Sequence, residues 1–447
     1  MRRSLMDAEV AVVGGGLSGL FTAVELRHRG DEDVLVLEES GEPGGVARTI
    51  RRGGYSLEPA AGSLLLPHPH LSSLLGRIGA EVVPAAATGR FVHTRGKLIA
   101  VPASPRVVIS PLVGWGAKLR AATEPFIRTK ASSADESLAE FLQRRLGRGL
   151  GTMVASLAAS GIFAGDPRRL SARAAFPALP ALEQEAGSIT RGALRRRRRR
   201  DRTVPRPTSH LPAAGMDGLA DLMAAALGPS FRPRFTATGV HPAHRGWVVE
   251  GPEEIRARHV VLACSPRRSA ELLGAEIGQR LRQAVTAPVA VVWLGGSRDE
   301  VPLPEGFGVL VGPDVDLHSV GVLFESSYAP FRASPGGALA KVIVGGASHP
   351  EVVEWDDDRL VSVVAAEASV VLRRDLAPSF THVVRHAMGI PQYEVGHLAW
   401  LSSIEGMAAD TPGIHLTGWG YRGVGVAHLA SDAARVAARI AEARSDL

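Results

Sequence analysis

Apolar positions along the chain follow two rhythms. Val10-Ala11-Val12-Val13 is an unbroken apolar run that stops at Gly14-Gly15-Gly16-Leu17-Ser18-Gly19. A helical pattern follows from Leu20 to Arg27 and ends at Gly30, and a second apolar run, Val34-Leu35-Val36-Leu37, leads into Glu38. Short continuous apolar runs read as strands buried on both faces, and the intervening period as a helix. Residues 10–38 therefore predict a βαβ unit. Ala257 to Pro266 reads as a further buried strand returning to the same sheet. Pro412 to Gly418 reads as a strand ending in a turn. Gly420, Gly423 and Gly425 then precede a helix from Val426 through Ile440. Between these pieces, residues 103–190 carry helical stretches such as Leu138–Leu142 and Met153–Leu157. Residues 286–396 alternate short strands (Ala290–Leu294, Val309–Val311, Lys341–Val344) with turn residues.

The glycine cluster gives the βαβ unit a chemistry. Gly14 permits a tight turn, Gly16 lets a pyrophosphate approach the backbone, and Gly19 lets helix and strand pack closely. The phosphates then face the helix N-terminus at Leu17 and Ser18, where free amides and the helix dipole favour negative charge. Glu38 and Glu39 close the second strand. Glu38 is placed to accept ribose hydroxyls and would repel a 2′-phosphate, which argues for a dinucleotide other than NADP.

Composition narrows the partners. The chain has 447 residues, 45% hydrophobic and 21% charged, an ordinary globular mix of several domains' length. Its net charge of +6 equals the six arginines of the run Arg195–Arg200, so the basic pI is a local feature and argues against nucleic-acid binding. Flanked by Pro205, Pro207 and Ser209, that run reads as a solvated loop, with contact to an anionic membrane as the sharper alternative. The single cysteine, Cys264, excludes an internal disulfide and a thiolate metal cluster, and its apolar run reads as a buried structural thiol. No metal-ligand quartet and no nucleophile–His–Asp arrangement stands out. Met1-Arg2-Arg3-Ser4 lacks the apolar stretch of an export signal, and no uncharged apolar window reaches about 18 residues. The expectation is a cytoplasmic protein, with a peripheral place on the inner face of the cell membrane under the sharper reading. A homo-oligomer is compatible with the sequence.

Glu38, Gly44-Gly45 and Thr49 form an E-x5-G-G-x3-T pattern that resembles the second signature of FAD-binding, amine-oxidase-like flavoproteins. Such proteins close the flavin site with a distant C-terminal segment. Here it would be Gly418, Trp419, Gly423, Val424, Gly425 and Val426, before a helix whose N-terminus suits the negative charge of a reduced flavin. That segment has no cysteine, so a cysteinyl flavin there is excluded and the implied FAD is non-covalent.

Three further segments narrow the resemblance. Ser160-Gly161-Ile162-Phe163-Ala164-Gly165-Asp166-Pro167, Gly306-Phe307-Gly308-Val309-Leu310-Val311 and Gly389-Ile390-Pro391-Gln392-Tyr393-Glu394-Val395-Gly396-His397 resemble motifs of the oxygen-dependent, FAD-containing protoporphyrinogen oxidases. The resemblance spans residues 8 to about 440. It implies an α/β protein: a Rossmann-like FAD-binding domain (1–85, 208–285 and 397–447), a β-rich substrate domain (86–102 and 286–396), and an inserted helical, membrane-associating subdomain (103–207) ending in the arginine-rich loop. It implies a porphyrinogen substrate and O2 as acceptor, with Arg90 pairing a propionate, Gly161 facing the macrocycle, and Leu310, Leu323 and Ile343 packing on its rings. Bidentate guanidinium–carboxylate pairing gives the Arg90 assignment physical sense. No side chain is assigned as catalytic base, and His386 and His397 read as structural hydrogen-bonding groups. Coproporphyrinogen III oxidation by the same fold and a low-turnover FAD-binding homologue are the alternatives. An amine oxidase fits less well, since Trp419 and Tyr421 are the only candidates for an aromatic cage.

Overall fold

The strand Ala8–Val13 lies at the centre of a seven-stranded sheet, between Val34–Leu37 and Ile255–Leu262, both parallel to it. This is the expected βαβ unit and its returning third strand. The computed structural model describes residues 7–101, 111–129, 134–199, 203 and 205–445. The strand Ile255–Leu262 forks. Along its first half it pairs antiparallel with Trp247–Glu250, and along its second half parallel with Ile414–Leu416, which brings the C-terminal segment beside the N-terminal strand. The helix Leu17–His28 packs on the C-terminal helix Val426–Ser445, with Leu20, Phe21, Val24, Leu429, Ala433 and Val436 in one apolar layer.

A second seven-stranded sheet follows the order Phe380–Pro391, Thr286–Ser297, Gly337–Gly345, Ser319–Leu323, Gly308–Val311, Arg90–Thr94, Lys97–Val101. Strand residues alternate between faces. One face carries Val292, Val342, Val322 and Val309, buried under the helix Asp357–Leu372 through Leu360, Val364, Ala368 and Val371. That helix, inside the region expected to be β-rich, supplies the apolar cover a sheet needs. The other face looks toward the first sheet.

The helix Leu138–Phe163 bends at Gly147, whose φ and ψ of 81° and 162° are not helical. It is long and apolar enough to span a membrane, but Phe141, Ala155, Ala159 and Phe163 are buried against Leu170 and Tyr393.

Two expectations need correction. The arginine run was expected as a loop; through Arg199 it is the end of a helix, Ile189–Arg199, while Arg200 lies outside the described residues. The helix is capped from far away: the carboxylate of Glu124 accepts the amides of Ile189 (2.9 Å) and Thr190 (3.1 Å) and the hydroxyl of Ser188 (2.6 Å). Gly192 lies so close to the Leu182 backbone that a Cβ would collide with it, and Glu185 pairs with Arg196. Arginine is also a good helix former. Cys264, expected inside a buried strand, lies two residues past the strand's end; the residue as a whole is partly exposed, but its thiol is buried, as expected. Its thiol contacts Ser269 Oγ at 3.2 Å, and burial of the group pushes its pKa up to about 11.

Candidate active site

A cavity of about 710 Å³ runs between the two sheets. It is lined by Val13, Gly14, Gly16, Leu17, Ser18, Glu38 and Glu39 of the first sheet's βαβ unit, by Gly161, Ile343, His386 and Met388, and by Gly44, Gly45, Trp419 and Val424. Segments from the N-terminus, the middle and the C-terminus of the chain thus form one wall.

The glycine loop has the shape its sequence implies. Gly14 has φ of +107°, a turn conformation that suits glycine. A Cβ at Gly19 would run into the carbonyl of Gly14, so strand and helix touch through hydrogen alone. A Cβ at Gly16 would meet nothing nearer than Gly44 O at 3.9 Å, leaving open space over the helix N-terminus. Gly16 provides no capping side chain and the first helical turn holds no acid, so the helix N-terminus is left to an anion. Gly44 donates its amide to Gly15 O at 2.8 Å, which seats the second signature on the first. Glu38 is buried, and its carboxylate accepts Gly15 N at 2.6 Å, Ser40 N at 2.9 Å and Ser40 Oγ at 2.7 Å. Oε1 is filled by the two Ser40 donors, and Oε2, with the Gly15 amide alone, keeps lone-pair capacity for a ribose hydroxyl. These residues fit a dinucleotide, with pyrophosphate at Gly16 and ribose at Glu38. Thr49 has a structural part: its hydroxyl donates to Glu58 at 2.9 Å and accepts the amide of Asp217 at 3.4 Å, in the first turn of the helix Gly215–Leu227.

Of the expected closing residues, Trp419 and Val424 line the cavity. Gly418 lies behind the wall, where its Cβ would stand 3.7 Å from Ser18 Oγ. Gly423 and Gly425 pack against His428, and Val426 belongs to the core. The buried Asp432 fixes this segment by accepting Thr417 Oγ1 at 2.8 Å, Gly418 N at 3.3 Å and Arg422 Nη1 at 3.1 Å.

The expected macrocycle contacts share one sheet face. Ile343 pairs with Gly321, Gly321 with Leu310, and Leu310 with Val92; two residues along, Lys341 pairs with Leu323, Leu323 with Gly308, and Gly308 with Arg90. By the two-residue alternation, Arg90, Leu310, Leu323 and Ile343 all point away from the core covered by helix Asp357–Leu372. Ile343 lines the cavity; Leu310, Leu323 and Arg90 share its sheet face but are not among the residues that line the cavity. A Cβ at Gly161 would stand 3.0 Å from Leu310 Cδ1, which places the helix end over this face. Arg90 is exposed, its guanidinium 5.8 Å from the centre of the Phe307 ring.

One wall residue carried no signal in the sequence. Lys341, fully buried and on the cavity wall, donates to the carbonyls of Glu58 and Ala60, the latter at 3.0 Å, and burial lowers its pKa. It thereby ties the second sheet to Pro59, Ala60 and Ala61, which also line the cavity. His386 shares the segment, its Nε2 3.0 Å from Pro59 O, and His397 Nε2 lies 2.9 Å from Tyr421 O. Burial lowers the pKa of both histidines, in keeping with the structural role expected of them. Only a map of pairings across the sheets could have singled out Lys341.

Residues 17–441 match the family described as flavin containing amine oxidoreductase. The chain belongs to that family. Like the other flavin-containing amine oxidoreductases it is a flavin-dependent oxidoreductase, and its cofactor is FAD. It is 31% identical to the protoporphyrinogen oxidase of Homo sapiens, over 94% of this chain and 96% of that protein. It is 25% identical to the coproporphyrinogen III oxidase of Bacillus subtilis (strain 168), over 93% of this chain and 94% of that protein. Among solved structures, a provisionally named protoporphyrinogen oxidase from Exiguobacterium sp. 255-15 superposes with a TM-score of 0.83 at 22% identity, covering 99% of this chain and all of that one.

Proposed function

We propose that this flavoprotein oxidises protoporphyrinogen IX to protoporphyrin IX, with dioxygen as the electron acceptor. The observation that carries the proposal is the sheet face bearing Ile343, Leu310, Leu323 and Arg90, which meets the cavity at Ile343 and lies under Gly161. It offers a flat apolar macrocycle a wall with a cation at the outer end. Bound FAD supplies a two-electron acceptor that dioxygen can re-oxidise. The substrate loses six hydrogens in three such steps, and three dioxygen molecules become three hydrogen peroxides. Within this scheme Ile343 and Leu310 orient the ring system, Arg90 pairs a propionate at the rim, and Trp419 and Val424 limit water beside the reacting carbon. Pyrrole protons leave to solvent as conjugation grows, so no side chain is assigned as base.

The Bacillus subtilis relative supports a second reading, in which coproporphyrinogen III is the substrate. Steady-state oxidation of both substrates under air tests the choice. Three peroxides per porphyrin and a higher kcat/KM for protoporphyrinogen IX are expected; a higher kcat/KM for the tetracarboxylate assigns the second reading.

The proposal places the protein peripherally on an anionic membrane surface. Trp115, Leu119 and Phe126 are 73%, 70% and 80% exposed, and Arg191 stands over the Phe126 ring at 5.7 Å. An apolar patch edged by the helix Ile189–Arg199 matches the chemistry of an acidic lipid surface.

A further inference from the structure

A second cavity, about 470 Å³, lies between the end of the helix Leu138–Phe163 and the second sheet. Ser160, Ala164 and Gly165 line it from the helix side, and His318 and His349 from the sheet side. The two histidines come from separate turns. His318 immediately precedes the strand Ser319–Leu323, and His349 follows the strand Gly337–Gly345 after a short turn. The Gly345 amide donates to His318 O at 3.0 Å, which joins the two turns. Glu351 follows in the 3-10 turn Pro350–Glu354, and the ring centres of His318 and His349 are 4.7 Å apart.

We infer that His318, His349 and Glu351 form a binding site for a divalent transition cation of the zinc class. One ligand atom from each side chain lies within 4.8 Å of the other two. Two imidazoles and a carboxylate make a donor set suited to zinc, and small side-chain adjustments close it to ligand distance.

The surroundings of His318 are those of a metal ligand. The Glu367 carboxylate accepts three donors, His318 N at 3.0 Å, Ser319 N at 2.8 Å and Ser319 Oγ at 2.6 Å. A carboxylate so surrounded is an acceptor, so the fourth contact, His318 Nδ1 at 2.8 Å, has the proton on the ring nitrogen. The lone pair of His318 then resides on Nε2. This carboxylate–histidine relay fixes tautomer and orientation in metal sites and raises the basicity of the ligand. The second imidazole stands between carboxylates as well, with Nδ1 3.5 Å from Glu351 and Nε2 4.0 Å from Asp316. A cation here would clasp the turns beside two strands that carry Leu323 and Ile343, residues of the proposed substrate wall.

The test uses the FAD-loaded protein, stripped of metal by chelator and titrated with Zn2+ by calorimetry and with Co2+ by its visible absorption. One saturable ion per chain is expected, with a Co2+ spectrum of a nitrogen- and oxygen-liganded site. Glu367→Gln, which leaves all three ligands in place, should weaken binding by about 10- to 100-fold. His349→Ala and Glu351→Gln should weaken it at least as much. Flavin content and the metal-free melting temperature show that each variant is folded, and Glu351→Gln, on an exposed turn, serves if a histidine variant fails. Zn2+ binding that is unsaturable, or equal in the wild type and Glu351→Gln, overturns the inference.

Discussion

The hydroxyl of Tyr393 accepts the amide of Gly423 at 2.7 Å and donates to the carbonyl of Trp419. The neighbouring Gln392 donates Nε2 to Phe163 O at 2.8 Å and to Ile390 O at 3.0 Å. Two consecutive side chains therefore hold the helix end that presents Gly161 and the C-terminal segment that presents Trp419 and Val424. Segments more than two hundred residues apart meet through this pair.

Tyr393→Phe removes the acceptor of one amide and the donor to one carbonyl while preserving the ring packed against Phe163. The loss should be on the order of 1–3 kcal/mol. Weaker FAD retention and a lower melting temperature of the holoenzyme are expected. An unchanged FAD affinity would show that this clamp does not govern the cofactor wall.

Gly16→Ala and Gly19→Ala should fail differently. The space above Gly16 admits a methyl group, so Gly16→Ala should fold and lose FAD, because the methyl takes the place of the pyrophosphate. Gly19→Ala meets the Gly14 backbone and should lower the stability of the protein without its cofactor as well. Circular dichroism melts of FAD-free protein separate the two, and equal melting temperatures would contradict the assignment.

The open space at Gly16 and the close packing at Gly19 were legible in the sequence because each depends on neighbours within a few residues. The βαβ unit, the returning strand and the C-terminal helix were legible for the same reason: continuous apolar runs and glycine stops are local signals. The arginine helix was not. Consecutive like charges resemble a solvated loop, and what stabilises the helix is Glu124, some 65 residues earlier in the chain. Lys341 and the His318–His349 pair were hidden likewise, because the register of the second sheet and its turns brings them to their partners. Cys264 was misplaced by two residues at a strand end, where sequence patterns are least informative.

Glu124 supplies a pH dependence. Burial opposes its ionisation, but hydrogen bonds from Ser188, Arg145 and Thr190 outweigh this and hold its pKa at about 2 against a usual 4.5. A carboxylate depressed on folding contributes stability that is fully present above pH 4.5 and is lost as the pH falls toward 2. The contribution is up to about 3 kcal/mol. Glu124→Gln should flatten the fall in melting temperature across that window. A variant with the same acid profile as the wild type would remove Glu124 from the account.

The membrane surface can be tested without touching the cavity. Trp115→Ser with Leu119→Ser, or serines in place of Arg195–Arg200, should reduce sedimentation with phosphatidylserine vesicles and leave FAD content and turnover on detergent-solubilised substrate unchanged. Binding to anionic and neutral vesicles alike would contradict the charge-based reading.

Arg90→Ala should act mainly on binding, since a propionate contact far from the reacting carbon changes little in the transition state. Loss of one charge-assisted pair corresponds to roughly 10- to 150-fold in KM. Steady-state kinetics with protoporphyrinogen IX would show KM raised at similar kcat. Unchanged kinetics would place the carboxylate site elsewhere.

Anaerobic mixing of the FAD-loaded protein with protoporphyrinogen IX, followed by the visible absorbance of oxidised flavin, tests the central claim most directly. The expected result is bleaching faster than that caused by coproporphyrinogen III, with the absorbance restored on admitting air. Flavin left oxidised by both porphyrinogens, or bleached only by coproporphyrinogen III, would contradict the proposed function.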